Sequence, residues 1–209
     1  MSRSMPDRLR PLWDFEDVDA TEARLREQLG REESDAGRAE VLTQLARVHS
    51  LRDEFDDCEQ RLREAESLAG DDGLVRVRVD LERGRKLRSS GDGAAAAPVF
   101  EGAFARACEI DDYWFAGDAA HMVAISEESK MLEWTERGLQ LAESEPDAAY
   151  WAGPLLNNLG WHYYEAGDYV HALEVFERAL EVRRRDPANP QAITWAEEAV
   201  AETRKALTS

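Results

Sequence analysis

Two apolar stripes of helical period run through residues 155–187, LLNNLGWHYYEAGDYVHALEVFERALEVRRRDP, with a short turn between them. Small residues sit at set places in both: Gly160 in the first stripe, Ala172 and Ala179 in the second, with Phe176 between the two alanines. That combination admits few folds. Gly or Ala on facing helices lets the axes approach near the short end of the usual range of about 8–10 Å, and a large ring then wedges into the space between them. A helical pair built this way still has apolar surface on its outer sides, so it needs similar pairs or capping helices stacked against it.

The order of these residues resembles the tetratricopeptide repeat, whose pattern runs W-x2-L-G-x2-Y, then A-x3-F-x2-A, then Pro. It is met by Leu159, Gly160, Tyr163, Ala172, Phe176, Ala179 and Pro187, with Leu156 in the Trp slot. The resemblance implies an all-α, right-handed α-solenoid of about four helix-turn-helix units with N- and C-terminal capping helices. It further implies a scaffold that holds a partner in a concave groove.

The same slots recur upstream. Residues 38–69 put Leu42, Leu45, Ala46 and His49 on one helix and Cys58, Leu62 and Ala65 on the next, with Asp56 and Glu59 spaced as a capping box for the second. Residues 76–109 carry Gly84, Leu87 and Gly91, then Ala96, Phe100 and Ala103. Pro98 requires that this second helix start at Ala96 or Ala97, so that the ring lies in its first turn. Residues 112–145 offer Phe115, Ala119 and Met122, then Met131, Thr135 and Gly138, and 150–187 is the unit already described. At the ends, Asp19 and Glu22 open a capping helix over 16–31, Asn189-Pro190 opens another over 190–207, and residues 1–14 read as irregular. The expectation is a single helical-repeat domain over 1–209.

Acidic residues outnumber basic ones 44 to 26, for a net charge of −18. Such a balance opposes binding to a phosphate backbone, so nucleic acid is not expected as a partner. Two cysteines, Cys58 and Cys108, are too few for a disulfide framework and read as buried thiols. With no apolar run of bilayer length and no signal-peptide core in the opening residues, the expected location is the cytoplasm, away from membranes.

Catalytic signatures are missing: there is no H-E-x-x-H, G-x-S-x-G, phosphate-binding G-x-x-x-x-G-K or C-x-x-C. No catalytic, cofactor or metal residues are assigned. Asp17-Val18-Asp19 reads as a helix cap, His49 as a satisfied core ring, and His171 as exposed. His121 and His162 each follow a small slot by two residues, which reflects repeat ancestry more simply than a shared metal site. Trp13, Trp114, Trp134, Trp151 and Trp195 read as packing residues at helix ends and junctions.

In the resembled family the first helix of each unit lines the groove. The face beside the core stripe then offers Asn157, Trp161 and Tyr164 in the last unit and Arg47, Arg85 and Arg88 in the first two, with Ala116, Ala120 and Val123 as the equivalents in the third. One reading makes these arginines a basic strip for carboxylates of an extended, acidic peptide, with the aromatics adding stacking area. The other pairs them with the protein's own Glu and Asp. The expected function is a non-catalytic scaffold for a protein or peptide. Three alternatives stay open: a sensor enclosing a small ligand near Trp161, Tyr164 and His121, an enzyme built on His121 and His162, and self-association as a homo-oligomer.

Overall fold

Short polar side chains open most of the helices. Asp17, Ser34, Asp72, Asp92, Asp112 and Asn189 each accept a hydrogen bond from the backbone N–H three residues on, satisfying a donor that has no partner inside the helix. The computed structural model describes residues 7–185 and 189–208. Its helices are α1 (Val18–Arg31), α2 (Asp35–Leu51), α3 (Phe55–Ala69), α4 (Gly73–Ser89), α5 (Gly93–Glu109), α6 (Tyr113–Ser126), α7 (Met131–Ser144), α8 (Ala152–Glu165), α9 (Tyr169–Arg185) and α10 (Pro190–Ala206). Short 3-10 turns occupy Arg10–Leu12, Glu128–Lys130 and Pro146–Trp151. No strand occurs among the described residues, and helices pack on their chain neighbours in pairs, as in an α-solenoid. Pro187, expected to close the last repeat, and the first six residues lie outside the described part.

The chain divides into two compact units, one ending at Glu127 and the other beginning at Glu128. In the first, α2 pairs with α3 and α4 with α5; α4 also packs on α2 and α3, and α6 on α4 and α5. Helix α1 covers α2. In the second, α8 pairs with α9, α10 packs on α9, and α7 packs on α8 and on the 146–151 turn. The expected third pair, 112–145, thus contributes its first helix to one unit and its second to the other. Helix α6 is apolar around most of its circumference, with Phe115, Ala116, Ala119, Ala120 and Val123 all buried, as suits a helix held by two neighbours.

The nesting expected from the small slots is present in two pairs. A Cβ at Gly84 would lie 2.5 Å from the Phe100 ring, and one at Gly160 would lie 2.5 Å from the Phe176 ring. Both rings are fully buried.

Three local expectations are corrected. Helix α5 starts at Gly93 behind Asp92, a full turn before Ala96, so Pro98 lies inside it. Pro98 and Ala94, whose carbonyl loses its helical partner, are both exposed, which lets water replace the missing bond and keeps the ring off the packed face. Helix α3 starts at Phe55 with Glu54 in the cap position and no side-chain cap bond; Glu54 pairs instead with His49, Nδ1 to Oε2 2.6 Å. Helix α1 is capped by Asp17 rather than Asp19, because Asp19 and Glu22 both hold Arg52. The Asn189-Pro190 start of α10 is as expected.

Candidate functional site

Along α2, Glu40, Gln44 and Arg47 recur at i, i+4 and i+7, and along α4 so do Arg78, Glu82 and Arg85. That spacing puts each trio on one helix face. The two faces lie side by side and continue onto α6: Arg78 Nε lies 3.3 Å from Glu40, its guanidinium stands 4.5 Å from the Phe115 ring centre, and Arg85 donates to both Asp118 oxygens at 2.6 and 2.5 Å. The result is a polar ladder across the first helices of the first unit. Arg78 and Arg85 each meet carboxylates there, as burial of charge requires.

Arg78 is 2% exposed, an unusual depth for an arginine. Arg85 also donates to Glu82 at 2.6 Å. Burial alone would lower its pKa, but Asp118 and Glu82 outweigh that and raise it. Arg47 shows the opposite balance: burial, and then repulsion from Arg85, pull it down to about 10, with Glu82 3.9 Å away. It stays cationic at neutral pH. Among the described residues, Arg78 Nη1, Arg85 Nε and Glu82 Oε2 are buried with no hydrogen-bond partner.

An N-terminal segment, residues 7–15, built around the Arg10–Leu12 turn, covers the α2 edge of this ladder. Asp7 pairs with Arg78 while accepting from its own Leu9 N–H at 3.0 Å. Arg8 bridges Glu32 and Glu40 at 2.7 and 3.1 Å, and Leu9 is 1% exposed in the core beside Leu25 and Val41. Trp13 donates Nε1–H to Gln44 at 2.9 Å and stacks on Phe15, ring centres 5.0 Å apart. The Arg47 guanidinium stands 5.3 Å from both rings, a cation–π arrangement. Contacts to α1 secure the segment from behind, Arg24 Nε to the Leu12 carbonyl at 2.8 Å and Asp14 N–H to Thr21 Oγ1 at 2.8 Å.

Of the basic strip read from the sequence, only Arg88 is exposed, with a 3.3 Å bond to the Ile125 carbonyl. Arg85 is committed to Glu82 and Asp118, and Arg47 to Trp13, Phe15 and Glu82, so the reading that pairs them internally is the one these two follow. The α6 residues that meet this face are Asp118, bonded to Arg85, and Phe115, under Arg78. Ala116, Ala120 and Val123, the expected equivalents, are fully buried, as is Thr43 on α2. The register of that helix was set by its small residues, and α6 has small residues on more than one face.

In the second unit, Asn157 is half-buried on α8. Trp161 meets Tyr164 and Phe176 edge-on, ring centres 5.3 and 5.1 Å apart, and both packs of rings lean on Ala199 and Val200 of α10. Tyr164 donates to Glu202 at 3.2 Å. Here α10 takes the place that a further first helix would hold. A cleft of about 700 Å³ runs between α9 and α10, lined by Glu177, Arg184, Glu197 and Arg204 among others; Arg184 pairs with Glu197 and Arg204 with Glu177, each at 2.7 Å.

His121, on α6, is pushed down to about 4 by burial, with Arg85 and Arg88 adding to the effect and Asp118 opposing it. His162 belongs to the other unit, so the histidine pair considered from the sequence is divided between them. His171 is exposed and paired with Asp168, Nδ1 to Oδ2 2.6 Å. Burial likewise pushes the Cys58 thiol up to about 12, while Cys108 is half-buried and neither cysteine is in a disulfide. The one trio of metal-ligand type among the described residues, His49, Glu54 and Asp57, is largely exposed. Trp114 and Trp134 are packed as expected, but Trp195 is 59% exposed. No helix of the described residues is long and apolar enough to cross a membrane.

The family model for the tetratricopeptide repeat matches residues 153–186. A solved structure described as the crystal structure of BtubC (BKLC) from P. vanneervenii is similar to the chain, with a TM-score of 0.62, 18% sequence identity, and 97% of this chain and 85% of that one covered. At that identity the likeness shows the fold. No curated protein matches the sequence.

Proposed function

We propose that this chain, whose residues 153–186 match the tetratricopeptide repeat, is a non-catalytic scaffold that binds an extended peptide of a partner protein on its first-helix faces. The observation that carries this reading is the segment 7–15, a stretch outside the α-helices with one 3-10 turn, held against α2 and α4 by an ion pair to Arg78, an indole hydrogen bond to Gln44 and a cation–π contact with Arg47. A surface that seats one peptide through side-chain chemistry has the means to seat others. Arg88 in the first unit, joined by Arg47 where a partner takes the place of Trp13 and Phe15, and Asn157, Trp161 and Tyr164 in the second, are the contacts we assign to the partner; Arg85 acts as an internal strut that holds the ladder. A cytoplasmic setting agrees with two thiols left unbridged.

A peptide array incubated with the intact protein tests the reading, followed by photo-crosslinking of the bound peptides. Crosslinks on α2, α4, α6 or α8 are the expected result. An array with no saturable binder, or crosslinks confined to second helices, would remove the proposal.

A further inference from the structure

We infer that residues 7–15 are a built-in, exchangeable occupant of the first unit's peptide-binding face, and that a partner peptide displaces them by offering the same chemistry: a carboxylate for Arg78, an aliphatic side chain next to it, and an aromatic ring under Arg47. This rests on the scaffold reading above and names the partner class it takes.

The segment's contacts are of the kind that peptides make with grooves. Asp7 supplies a carboxylate to a nearly inaccessible guanidinium, Leu9 a buried aliphatic anchor two residues on, and Trp13 an indole whose N–H meets Gln44. Phe15, the last of these groups, is 45% exposed even though it stacks on Trp13 and faces Arg47. The aromatic end of the segment is therefore open to solvent, while Asp7 and Leu9 at its other end are buried. Next to it, Arg78 Nη1, Arg85 Nε and Glu82 Oε2 are buried without hydrogen-bond partners among the described residues. Buried polar groups are ordinarily satisfied, so the ladder is left under-satisfied with the segment in place.

Two residues separate the segment from α1. So short a tether gives the cis segment an effective concentration on the order of millimolar, and a free peptide competes against it at a disadvantage of the same order. Weakening the cis contacts removes the competitor while leaving the face intact.

The test uses the whole chain and a fluorescein-labelled peptide of residues 6–16, followed by anisotropy. The wild-type protein is expected to bind this peptide weakly, and the W13A/F15A protein at least ten-fold more tightly, with the gain abolished when Arg47→Ala is added. Trp13→Phe, which keeps a ring and drops the Gln44 bond, should show an intermediate gain and covers the case where the double variant fails to fold. Equal affinity for wild type and folded variants overturns the inference, and so does loss of fold in both, since the segment would then be an inseparable part of the core. If the peptide array yields binders and the 6–16 peptide is not among them, the inference fails and the scaffold reading stands. If neither binds, both fail.

Discussion

The Phe176 ring occupies the space that a side chain at Gly160 would need, 2.5 Å from where a Cβ would stand, and Phe100 does the same to Gly84. In each case the aromatic ring follows its glycine by the same interval in the chain, so one packing solution has been used twice.

Replacing Gly160 or Gly84 with Ala should therefore destabilise the protein by about 1–3 kcal/mol, the usual cost of forcing atoms into a filled site. Gly102, inside α5 with nothing within 4 Å of a Cβ, makes the control: Gly102→Ala should stabilise by roughly 0.5–1 kcal/mol through helix propensity alone. Urea midpoints for the three variants decide it. A neutral Gly160→Ala would mean that the rings are not locked against the backbone.

Arg85 and Arg88 should behave oppositely although they lie three positions apart. Arg85→Ala leaves Glu82 and Asp118 buried without their shared cation, and breaking such a pair costs roughly 3–5 kcal/mol. Arg88→Ala, at an exposed position, should stay within about 0.5 kcal/mol of wild type and yet weaken capture of an acidic peptide. Thermal melts alongside binding isotherms separate the two effects. Equal destabilisation by both changes would contradict the ladder.

Acid should weaken the protein through His121. Its folded pKa is near 4 and its ordinary value 6.5, so between those limits the unfolded chain binds the proton and the folded one does not. Stability is complete above about pH 6.5 and falls as the pH drops toward 4, by up to about 3 kcal/mol and less in proportion to the ring's partial exposure. His121→Gln should flatten this limb of the stability curve. An unchanged acid limb in that variant would assign the loss to other groups.

Thiol reagents should distinguish the two cysteines. Cys58 is fully buried with its thiol pushed up to about 12, so iodoacetamide at pH 8 should leave it untouched in the native protein and modify it only on unfolding. Cys108, half-buried, should react first. Mass spectrometry of the alkylated chain reads this directly, and early labelling of Cys58 would show that α3 opens on its own.

Much of the helical plan was legible because it depends on local chemistry. The nested pair at 155–187 announced itself through Gly160, Phe176 and the alanines around them, and Asn189-Pro190 marked a helix start that is present. Caps were harder to place: Asp19 is held by Arg52 while Asp17 caps α1, and α3 starts at Phe55, which puts Asp56 inside its first turn. Pro98 misled for a related reason, since its tolerance inside α5 depends on which side faces water. The candidate site was the least readable part. Arg47 and Arg85 were found by spacing, but nothing local reveals that Asp118 lies opposite one and Trp13 opposite the other. Arg78 gave no signal, because a buried arginine in sequence looks like any exposed one. The segment 7–15 lacks helical period and so reads as irregular, although its side chains are among the best anchored in the first unit.

The Asp7–Arg78 pair closes a loop of 71 residues, whereas the ring-to-glycine contacts join neighbouring helices. Bringing distant parts of a chain together costs more loop-closure entropy and slows folding. The helical pairs are therefore expected to assemble before the N-terminal strap docks, and stopped-flow refolding in which Trp13 fluorescence lags behind the helical signal would show that order.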